Sequence, residues 1–420
     1  MTARATVQIS RLGAQGDGVA DGAGGPVFVR GALPGETWEI LGEHVEQRSS
    51  SAFRVAPPCR HFGICGGCAA QHMSDAIYAK WKEDVVAEAF RHRGLDVDVA
   101  PLMRVAVRSR RRAVMGAVIE GRGVHLGFRA EGEHRLVDLA ECHVLDPAIV
   151  AAFEPLRALT RLLLMHEPKA TAKGKSRRKE QRTARITVTR LDAGLDVAID
   201  VGCGVLPAEL SAALAAIADS ARLVRLSVDG DVVLLRGRPV LTVGGIATQP
   251  PPSVFLQAVP EAELKLRDLV LAGVGSAKRV ADLFCGIGTF TFPLARRAEV
   301  LALDGDAKAI AALAYAAKHA QGLRKIEARV RDLGREPLSR TELAPFDAVV
   351  FDPPRAGASE QASAIAKSKV PVVVAVSCNP ATLARDARIL VDGGFALDRI
   401  TPVDQFVWTP HIEAVAVFRR

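Results

Sequence analysis

We see no membrane segment, leader peptide or internal repeat in this 420-residue sequence, and we expect none. The N-terminal residues, MTARATVQIS, lack the apolar core of a secretory signal peptide. No run reaches the roughly 18 apolar residues that cross a bilayer as a helix, and the apolar stretch at 370–376 predicts a short buried strand. We therefore expect a cytoplasmic protein with no membrane partner. Its seven cysteines should be reduced thiols, metal ligands or catalytic groups rather than a disulfide framework.

The composition predicts a multidomain protein and is compatible with a polyanionic partner. Hydrophobic residues make up 49% of the chain, which is enough for several cores, and the length favours two or three domains. The formal net charge is +8 and the sequence pI is about 9.3. Basic proteins attract nucleic acid through phosphate contacts and counterion release. Many basic proteins bind no nucleic acid, so charge alone favours such a partner only modestly, and no obligatory protein partner is evident.

Hydropathy patterns divide the chain into three predicted domains. Residues 1–57 contain short strands broken by glycine and proline, which is typical of a small, OB-like β-barrel. Residues 58–250 mix helical and strand patterns and predict an α+β central domain. In residues 251–420 short apolar strands alternate with helical patterns, which predicts a parallel, doubly wound α/β domain of Rossmann type.

The first expected helix runs from Ser74, a suitable N-cap, to about His92. Its apolar residues recur at helical spacing, at Ile77, Trp81, Val85 and Ala89. A strand-like segment, VHLGFR, follows further along the chain.

Two basic segments are candidate RNA contacts. Within the run 108–112, the side chains of Arg110, Arg111 and Arg112 could contact phosphates, although a solvated basic face explains them equally well. Residues 169–185 are polar and basic without apolar periodicity, which predicts an exposed loop. This loop is interpreted either as a linker or as an arm that binds phosphate.

The sequence predicts a ligand pocket at the carboxyl ends of the C-terminal strands. The strand RVADLF continues into CGIGTFTFPLA, where Gly286 and Gly288 let the backbone approach a ligand closely. Asp304 ends the next strand and could bind ribose hydroxyls, and Asp332, after the third strand, could reach an adenine amino group. Either carboxylate alone could be an ordinary loop cap. The missing third glycine disfavours a dinucleotide, and D-x-F-x-G-x-G-x-F resembles the first motif of class I methyltransferases, which use S-adenosylmethionine.

Cys378 is the candidate nucleophile. The sequences Asp352-Pro-Pro-Arg and Ser377-Cys378-Asn379-Pro380 each follow an apolar strand, so both lie on the rim of the predicted pocket. A helical pattern begins at Pro380, and a helix N-terminus favours the thiolate form of a nearby cysteine. The alternative is a buried, inert thiol, which fits poorly with the polar residues on both sides of Cys378.

A thiolate has a definite use in the methylation of a pyrimidine. Carbon 5 of uracil is a poor nucleophile, but addition of a thiolate at carbon 6 converts the ring into an enolate that attacks a methyl donor. A general base must then remove the proton from carbon 5. Glu413, in TPHIEAVAVF on a late strand, is the candidate base. The ordinary alternative is a solvent-facing strand glutamate.

The chain resembles the bacterial uracil-5 RNA methyltransferases over nearly its whole length, and it is most similar to the branch that acts on 23S ribosomal RNA. The motifs behind the resemblance are FLQ at 255–257, DLFCGIGTFTFPLA at 282–295, DPPRAGA at 352–358, SCNPATLARD at 377–386 and PHIEAV at 410–415. In the N-terminal segment, GVAD, VFV and ALPGE are similar to the family's TRAM domain, an RNA-binding β-barrel.

The resemblance implies roles for individual residues. Cys378 is the expected nucleophile and Glu413 the expected base. Six residues fall at the family's positions for binding S-adenosylmethionine, namely Gln257, Phe284, Thr289, Asp304, Asp332 and Asp352. The chain departs from the family pattern where Val259 and Thr289 replace Asn, and where Asp304 replaces Glu. Thr289 and Asp304 keep the ability to form hydrogen bonds, whereas Val259 does not.

Four cysteines form a candidate metal site, namely Cys59, Cys65, Cys68 and Cys142. Structural zinc prefers paired C-x2-C units, and only one such pair is present here. Three clustered thiolates with a distant fourth suit a [4Fe–4S] cluster instead. The resemblance points to the same cluster, because the ribosomal branch carries it in this arrangement. Zinc and the absence of any metal remain alternatives, and Cys203 and Cys285 are expected to bind no metal.

The function expected from the sequence is methylation of carbon 5 of a specific uridine in 23S ribosomal RNA, with the target base flipped out or unpaired. A transfer-RNA uridine methyltransferase is the first alternative. An amino-group methyltransferase typically has an aromatic residue after the two prolines, where this chain has Arg355. An NAD-dependent oxidoreductase and a non-enzymatic RNA-binding protein with a degenerate methyltransferase domain complete the alternatives. The intact Gln257, Asp352, Cys378 and Glu413 disfavour the last of these.

Overall fold

The computed structural model describes residues 4–22, 24–42, 44–166 and 182–420. The basic loop predicted at 169–185 lies mostly outside these ranges, and its last residues belong to a strand that begins at Thr183. No helix in the described part of the chain is both long and apolar enough to cross a membrane.

The N-terminal part is rich in strands, as its glycine-broken pattern predicts. Six short strands form two three-stranded antiparallel sheets, one with the order β1-β5-β6 and one with the order β2-β3-β4. A small apolar core holds them together and includes the side chains of Ile9, Ala20 and Val29. The strands are β1 (Arg4–Gln8), β2 (Arg11–Leu12), β3 (Gly18–Gly22), β4 (Gly25–Val29), β5 (Thr37–Leu41) and β6 (His44–Gln47).

The first helix, α1 (Asp75–Arg91), confirms the predicted helix from Ser74 to about His92. Its buried face is shifted by about one residue from the predicted one, and consists of Tyr78, Trp81, Lys82, Val86 and Phe90. The shift places a lysine in the interior, which hydropathy could not foresee. A two-residue strand, β7 (Met103–Arg104), follows the helix.

Lys82 is buried because it forms an ion pair with a buried carboxylate. Its Nζ atom lies 3.0 Å from Oδ1 of Asp404 and also donates to the carbonyl oxygen of His411. The hydroxyl of Tyr78 donates to Oδ2 of Asp404 at 2.6 Å and accepts from the backbone N–H of Trp408 at 2.9 Å. Breaking such a buried pair leaves an uncompensated charge. The network therefore fixes the segment 404–411 against α1.

The central part is built around a six-stranded sheet with the order β9-β8-β10-β11-β12-β13, in which only β11 and β12 run parallel. Helices α3 and α4 contact each other and share one apolar core with this sheet. The VHLGFR pattern corresponds to β9. The elements are β8 (Arg112–Glu120), β9 (Gly123–Gly127), α2 (Pro147–Ala151), α3 (Phe153–Met165), β10 (Thr183–Leu191), β11 (Gly194–Asp200), α4 (Ala208–Ser220), β12 (Arg225–Val228) and β13 (Asp231–Leu235). A hairpin of β14 (Leu241–Val243) and β15 (Ile246–Thr248) follows.

The C-terminal part contains the predicted α/β sheet, which is flanked by helices. The elements are α5 (Pro260–Val274), β16 (Arg279–Leu283), α6 (Thr291–Ala295), β17 (Glu299–Asp304), α7 (Ala307–His319), β18 (Ile326–Val330), α8 (Arg340–Leu343), β19 (Ala348–Phe351), α9 (Ser359–Ala366), β20 (Val372–Ser377), α10 (Pro380–Asp392), β21 (Ala396–Asp404) and β22 (Glu413–Arg419). Strands β16 to β20 are parallel, whereas β22 runs antiparallel to both β20 and β21. The sheet is therefore mixed rather than wholly parallel.

Helices cover both faces of this eight-stranded sheet, which has the order β18-β17-β16-β19-β20-β22-β21-β7. Successive side chains of β20 enter different cores: Val374 and Val376 pack with α5 to α7, and Val373 and Ala375 pack with α1, α9 and α10. Burial on both faces explains why the strand is apolar throughout. The chain order reverses between β16 and β19, and open α/β sheets bind ligands beyond the carboxyl ends of the strands at such a point.

The packing does not follow the proposed division at residues 57 and 250 everywhere. Helix α1 packs against α10, and β7 pairs with β21, so both lie on the C-terminal sheet. The hairpin of β14 and β15 also contributes Leu241, Val243 and Ile246 to the C-terminal core. The three-domain division itself stays a prediction.

Candidate active site

The loop after β16 has the backbone geometry of a ligand-binding turn. Phe284 has φ of +60°, a conformation that few residues other than glycine adopt. Gly288 has φ of +103°, and a Cβ atom there would lie 2.7 Å from the ring of Phe292. The Oδ2 atom of Asp304, at the end of β17, accepts a hydrogen bond from the backbone N–H of Gly286 at 2.9 Å. Asp304 thus joins the carboxyl ends of β16 and β17, which is the edge of the sheet where the sequence predicts it.

The other predicted cofactor residues of this edge differ in exposure. Thr289 is half-buried in the loop between β16 and α6. Asp332 is exposed, and its Oδ1 atom accepts hydrogen bonds from the backbone N–H groups of Gly334 and Arg335 at 3.1 and 3.3 Å. These are the contacts of a loop cap, which was the alternative interpretation of this carboxylate. Its role toward a cofactor stays a prediction.

Asp282, inside β16, is a buried carboxyl that the sequence did not single out. It is 1% exposed, and its Oδ2 atom accepts from the hydroxyl of Thr291 at 2.5 Å. Its Oδ1 atom has no partner among the described residues. Burial raises the pKa of Asp282 to about 7, and the nearby Asp352 and Asp304 add to this shift. A carboxyl with one free oxygen thus lies beneath the loop at the predicted cofactor edge.

Two amides connect two further carboxyls across the site. The Nε2 atom of Gln257 donates to Oδ2 of Asp352 at 2.8 Å, and its Oε1 atom accepts from Nε2 of Gln405 at 2.7 Å. The same Nε2 atom of Gln405 donates to Oε1 of Glu413 at 2.9 Å. The structure therefore brings Gln257, Asp352 and Glu413 together, although they are far apart in sequence. Gln405 links them and was not predicted.

Glu413 is not an ordinary strand glutamate. It is the first residue of β22 and only 2% exposed, which excludes the solvent-facing alternative. Its Oε2 atom has no hydrogen-bond partner in the described parts of the chain. Burial, reinforced by the charge of Asp352, raises the pKa of Glu413 to about 8. A carboxyl with one oxygen held and one free is suited to accept a proton.

Cys378 lies beside Glu413 at the end of the sheet. Ser377 of β20 pairs with Ala414 of β22, so the next residues along this ladder are Cys378 and Glu413. The thiol is half-buried at the start of α10, as the sequence predicts. Its pKa is raised to about 12, chiefly by burial and then by the charges of Glu413 and Asp352. The prediction that the helix N-terminus favours the thiolate is therefore wrong for the free protein, because these effects outweigh the dipole.

The loop 352–358 is fastened to the start of α10. Asn379 caps the helix by accepting from the backbone N–H of Ala381 at 3.1 Å, and its Nδ2 atom donates to the carbonyl oxygen of Arg355 at 3.0 Å. The guanidinium of Arg355 is exposed and reaches Nδ1 of His411 at 3.2 Å. Arg355 therefore leaves a cation at the mouth of the site, where the rival amino-group enzymes place an aromatic ring.

The three candidate arginines do not form one basic face. Arg111 is 5% exposed, forms an ion pair with Glu263 and donates to the carbonyl oxygen of Gln257, so its prediction as an RNA contact is wrong. Arg112 is half-buried and donates to the carbonyl oxygen of Ser253. The guanidinium of Arg110 lies 5.7 Å from the ring centre of Phe406. For Arg110 and Arg112 the RNA contact stays a prediction.

The four candidate metal-binding cysteines line one cavity of about 520 Å³. Arg110, His61 and His143 also line this cavity, as do residues 409–411 of the segment that α1 anchors. Cys203 and Cys285 lie elsewhere, and both are buried. In the described ranges, no group of three or more histidine, cysteine, aspartate or glutamate side chains is arranged to hold a metal ion, so the cluster at these cysteines stays a prediction.

The fold and this site define the chain as a methyltransferase of the Rossmann-like class. A family described as tRNA (Uracil-5-)-methyltransferase matches residues 253–420. An uncharacterised RNA methyltransferase of Brucella suis is 44% identical over 427 aligned positions, which cover 100% of this chain and 99% of the relative. A 23S rRNA (uracil(1939)-C(5))-methyltransferase of Chromohalobacter salexigens is 33% identical, with coverage of 99% and 89%. The chain belongs to the RNA uracil-5 methyltransferase family and is an enzyme.

A solved structure confirms the fold over almost the full length. The tRNA (uracil-54, C5)-methyltransferase of Pyrococcus abyssi, in complex with S-adenosyl-L-homocysteine, matches with a TM-score of 0.75 and covers 98% of this chain and 99% of its own. Its sequence is 23% identical, so the similarity concerns the fold. The arrangement of a strand-rich N-terminal part, a mixed sheet and a methyltransferase domain is thereby confirmed.

Proposed function

We propose that the protein methylates carbon 5 of a uridine in RNA through a covalent adduct between Cys378 and carbon 6 of the base. The observation that carries this proposal is the position of Cys378, one residue beyond the Ser377–Ala414 pair, beside a buried Glu413 whose Oε2 atom is free. Because these two groups are neighbours across β20 and β22, one pyrimidine ring can contact both. The target base leaves its stack to enter the site.

The residues act in a fixed order. The sulfur of Cys378, as the thiolate, forms a bond to carbon 6, and the ring electrons move toward the carbonyl oxygen at carbon 4. Carbon 5 then takes the methyl group, while the electron pair of the broken methyl–sulfur bond stays with the donor, and Glu413 removes the proton from carbon 5. The electron pair of that C–H bond re-forms the double bond between carbons 5 and 6 and expels the sulfur of Cys378.

The raised pKa of Cys378 means that the thiol needs the bound substrate in order to lose its proton. In the free protein the thiol is neutral, because burial and two carboxyls oppose its ionisation. Arg355 is the nearby cation that lowers the pKa of this thiol. Loss of the Cys378 proton is therefore expected to follow substrate binding rather than to precede it.

S-adenosylmethionine is the proposed methyl donor, and it supplies a methyl group on a positively charged sulfur. The residues present fit such a molecule, because the loop at 284–288 is open at Gly286 and a free oxygen of Asp282 lies beneath it. Phe284 belongs to this loop, Thr289 and Asp304 border it, and Gln257 is hydrogen-bonded to Asp352, whose charge acts on Cys378. These residues would hold the donor, which would supply the methyl group for carbon 5.

The proposed substrate is 23S ribosomal RNA. The support is the similarity to the Chromohalobacter enzyme, whose name states that substrate, over nearly the full length of both chains. Mapping of 5-methyluridine in ribosomal and transfer RNA, from cells with and without the gene, tests this directly. Loss of one 5-methyluridine from 23S RNA is the expected result. Loss from transfer RNA alone would contradict the ribosomal assignment and leave the chemistry intact.

We also propose that the N-terminal sheets are a TRAM-like RNA-binding unit and that the cysteine cavity holds a [4Fe–4S] cluster. All four ligands in this cavity would be thiolates, which are soft donors that suit iron–sulfur clusters. A cluster of four irons needs its thiolates spread around a volume, whereas a single zinc needs them about 2.3 Å from one point. Cys59, Cys65, Cys68 and Cys142 would hold the cluster, which would act structurally, since methyl transfer needs no electron.

The iron content of the purified protein tests the predicted cluster. Protein purified without oxygen is expected to carry iron and acid-labile sulfide, and Cys142→Ser should lose most of both because the fourth ligand is missing. Cys203→Ser is the matched control and should retain them, since this cysteine is buried in the central part near Asp229. Zinc in place of iron, or full iron in Cys142→Ser, would contradict the prediction.

A further inference from the structure

Gln405 occupies the middle of the buried network, and no motif marks it in the sequence. It is 1% exposed and follows the last residue of β21. Its side chain contacts the backbone beside Gln257, the side chain of Gln257 and the side chain of Glu413. These contacts allow the Gln405 amide to fix the positions of the Gln257 and Glu413 side chains relative to each other.

The hydrogen bonds allow one orientation of this amide. Its Oε1 atom accepts from the backbone N–H of Ala258 at 2.9 Å, so Nε2 must point the other way, toward Gln257 and Glu413. A flipped amide would set its NH₂ group against the N–H of Ala258. Because Oε1 of Gln257 accepts from Gln405, Nε2 of Gln257 is the atom that donates to Asp352. Both amides therefore direct N–H donors at carboxyl oxygens.

The backbone just before Gln405 is also held. Asp404 is bound by Lys82 and Tyr78, and Val403 pairs with Glu413 in the ladder of β21 and β22. The main chain that carries Gln405 is therefore anchored by the buried ion pair of Lys82 and Asp404. Its position relative to Glu413 is a fixed property of the fold.

We propose that Gln405 is a positioning residue that holds Oε1 of Glu413 and thereby presents the free Oε2 atom to the proton on carbon 5 of the base. This inference rests on the proposed function. It assigns Gln405 to the last step, in which Glu413 takes the proton and the sulfur of Cys378 leaves carbon 6. Attack by Cys378 and methyl transfer come earlier and do not require the base to be aligned.

Two substitutions separate this role from a general structural one. Gln405→Glu keeps an oxygen for the N–H of Ala258 but, when ionised, cannot donate to Glu413, and Gln405→Leu removes both functions. The matched control is Gln361→Leu, because Gln361 is also 1% exposed but bonds only to the backbone of Leu338. The measurement is the denaturation-stable protein–RNA adduct, followed in single turnover with labelled methyl donor.

Both Gln405 variants are expected to form the adduct and to resolve it about tenfold or more slowly than the unaltered enzyme, so that the adduct accumulates on ordinary uridine RNA. On 5-fluorouridine RNA, from which no proton can be removed, adduct formation should stay within about twofold of the unaltered enzyme. Gln361→Leu should behave as the unaltered enzyme in both assays.

Two results would overturn the inference. Resolution at the unaltered rate would show that Glu413 needs no alignment by Gln405. An equal loss of adduct formation on 5-fluorouridine RNA would show a general structural role instead. Failure of the proposed function gives a different result, because Cys378→Ala would then keep its methyl transfer whatever the Gln405 variants do.

Discussion

Cys378→Ala is expected to abolish methylation of uridine RNA, with a loss on the order of 10⁴-fold or more, as for the removal of a covalent nucleophile in other enzymes. Without the sulfur, carbon 5 has no means of becoming a nucleophile, and the remaining residues cannot replace that chemistry. Since Cys378 is half-buried at a loop, its replacement by alanine removes few contacts. Folding and RNA binding should therefore persist.

The measurement is transfer of labelled methyl groups to RNA, with RNA affinity and thermal stability measured in parallel. Cys203→Ala is the matched control, because Cys203 is 3% exposed and lies in the core of the central part. It should retain activity even if it unfolds at a lower temperature. Full activity in Cys378→Ala would contradict the proposed chemistry and favour an amino-group methyltransferase, which needs no nucleophile.

Glu413→Gln is expected to lower the rate of product release by about 10²- to 10⁴-fold, the usual contribution of a general base. The reason is that the methylated adduct keeps its proton on carbon 5 and cannot expel the sulfur. The variant should therefore accumulate a denaturation-stable complex with ordinary uridine RNA, which the unaltered enzyme resolves. Gel electrophoresis of the labelled complex measures it.

The pH dependence of the unaltered enzyme gives an independent check on Glu413. Burial raises the pKa of Glu413 from 4.5 to about 8, so the carboxyl becomes an effective base only as the pH rises toward that value. Adduct resolution should accelerate over this range. The stability of the fold changes in the opposite direction. Glu413 ionises at a lower pH in the unfolded state than in the folded state, so its contribution to the free energy of unfolding declines as the pH rises from 4.5 to about 8.

Glu413→Gln should accordingly be at least as stable as the unaltered enzyme at pH 8, which separates its catalytic defect from misfolding. Glu209→Gln, an exposed position on α4, is the control and should resolve adducts normally. Rapid resolution by Glu413→Gln would assign the proton to another group. Failure of the variant to form an adduct with either ordinary uridine RNA or 5-fluorouridine RNA would contradict the proposed order of steps, in which attack by Cys378 comes before proton removal.

The sequence predicts most of the C-terminal fold because its strands are buried on both faces. Apolar runs such as β20 and the helix start at Asn379 and Pro380 have unambiguous local patterns, and these patterns suffice to place Cys378 at the end of a strand. The mixed end of the sheet was not predicted, since the direction of β21 and β22 depends on long-range pairing rather than on local pattern.

Two of the residues that sequence reasoning missed, Lys82 and Gln405, are polar groups with partners far away in the chain. Lys82 lies 322 residues from Asp404 in the chain, and Gln405 lies 148 residues from Gln257. Hydropathy predicts that a lysine on a helix is exposed. No regular sequence spacing indicates that two residues so far apart in the chain are in contact. The prediction for Arg111 is wrong in the opposite direction. A basic run predicts an exposed side chain, but Arg111 is buried and forms an ion pair with a carboxylate on α5.

The pKa of Cys378 shows a further limit of local reasoning. A helix N-terminus was expected to favour the thiolate, yet burial and the carboxyls of Glu413 and Asp352 raise the pKa of Cys378 instead. Those carboxyls belong to the same mechanism, because Glu413 must lie near the adduct to take its proton. Proximity to the base thus makes the nucleophile harder to ionise until substrate is bound.

The most direct test of the central claim is the chemical identity of the protein–RNA bond. Enzyme incubated with 5-fluorouridine RNA and labelled methyl donor, then digested and analysed by mass spectrometry, is predicted to yield one peptide containing Cys378 joined to a methylated fluorouracil. A bond to any other residue, or methylated RNA without a protein adduct, would contradict a mechanism that passes through the sulfur of Cys378.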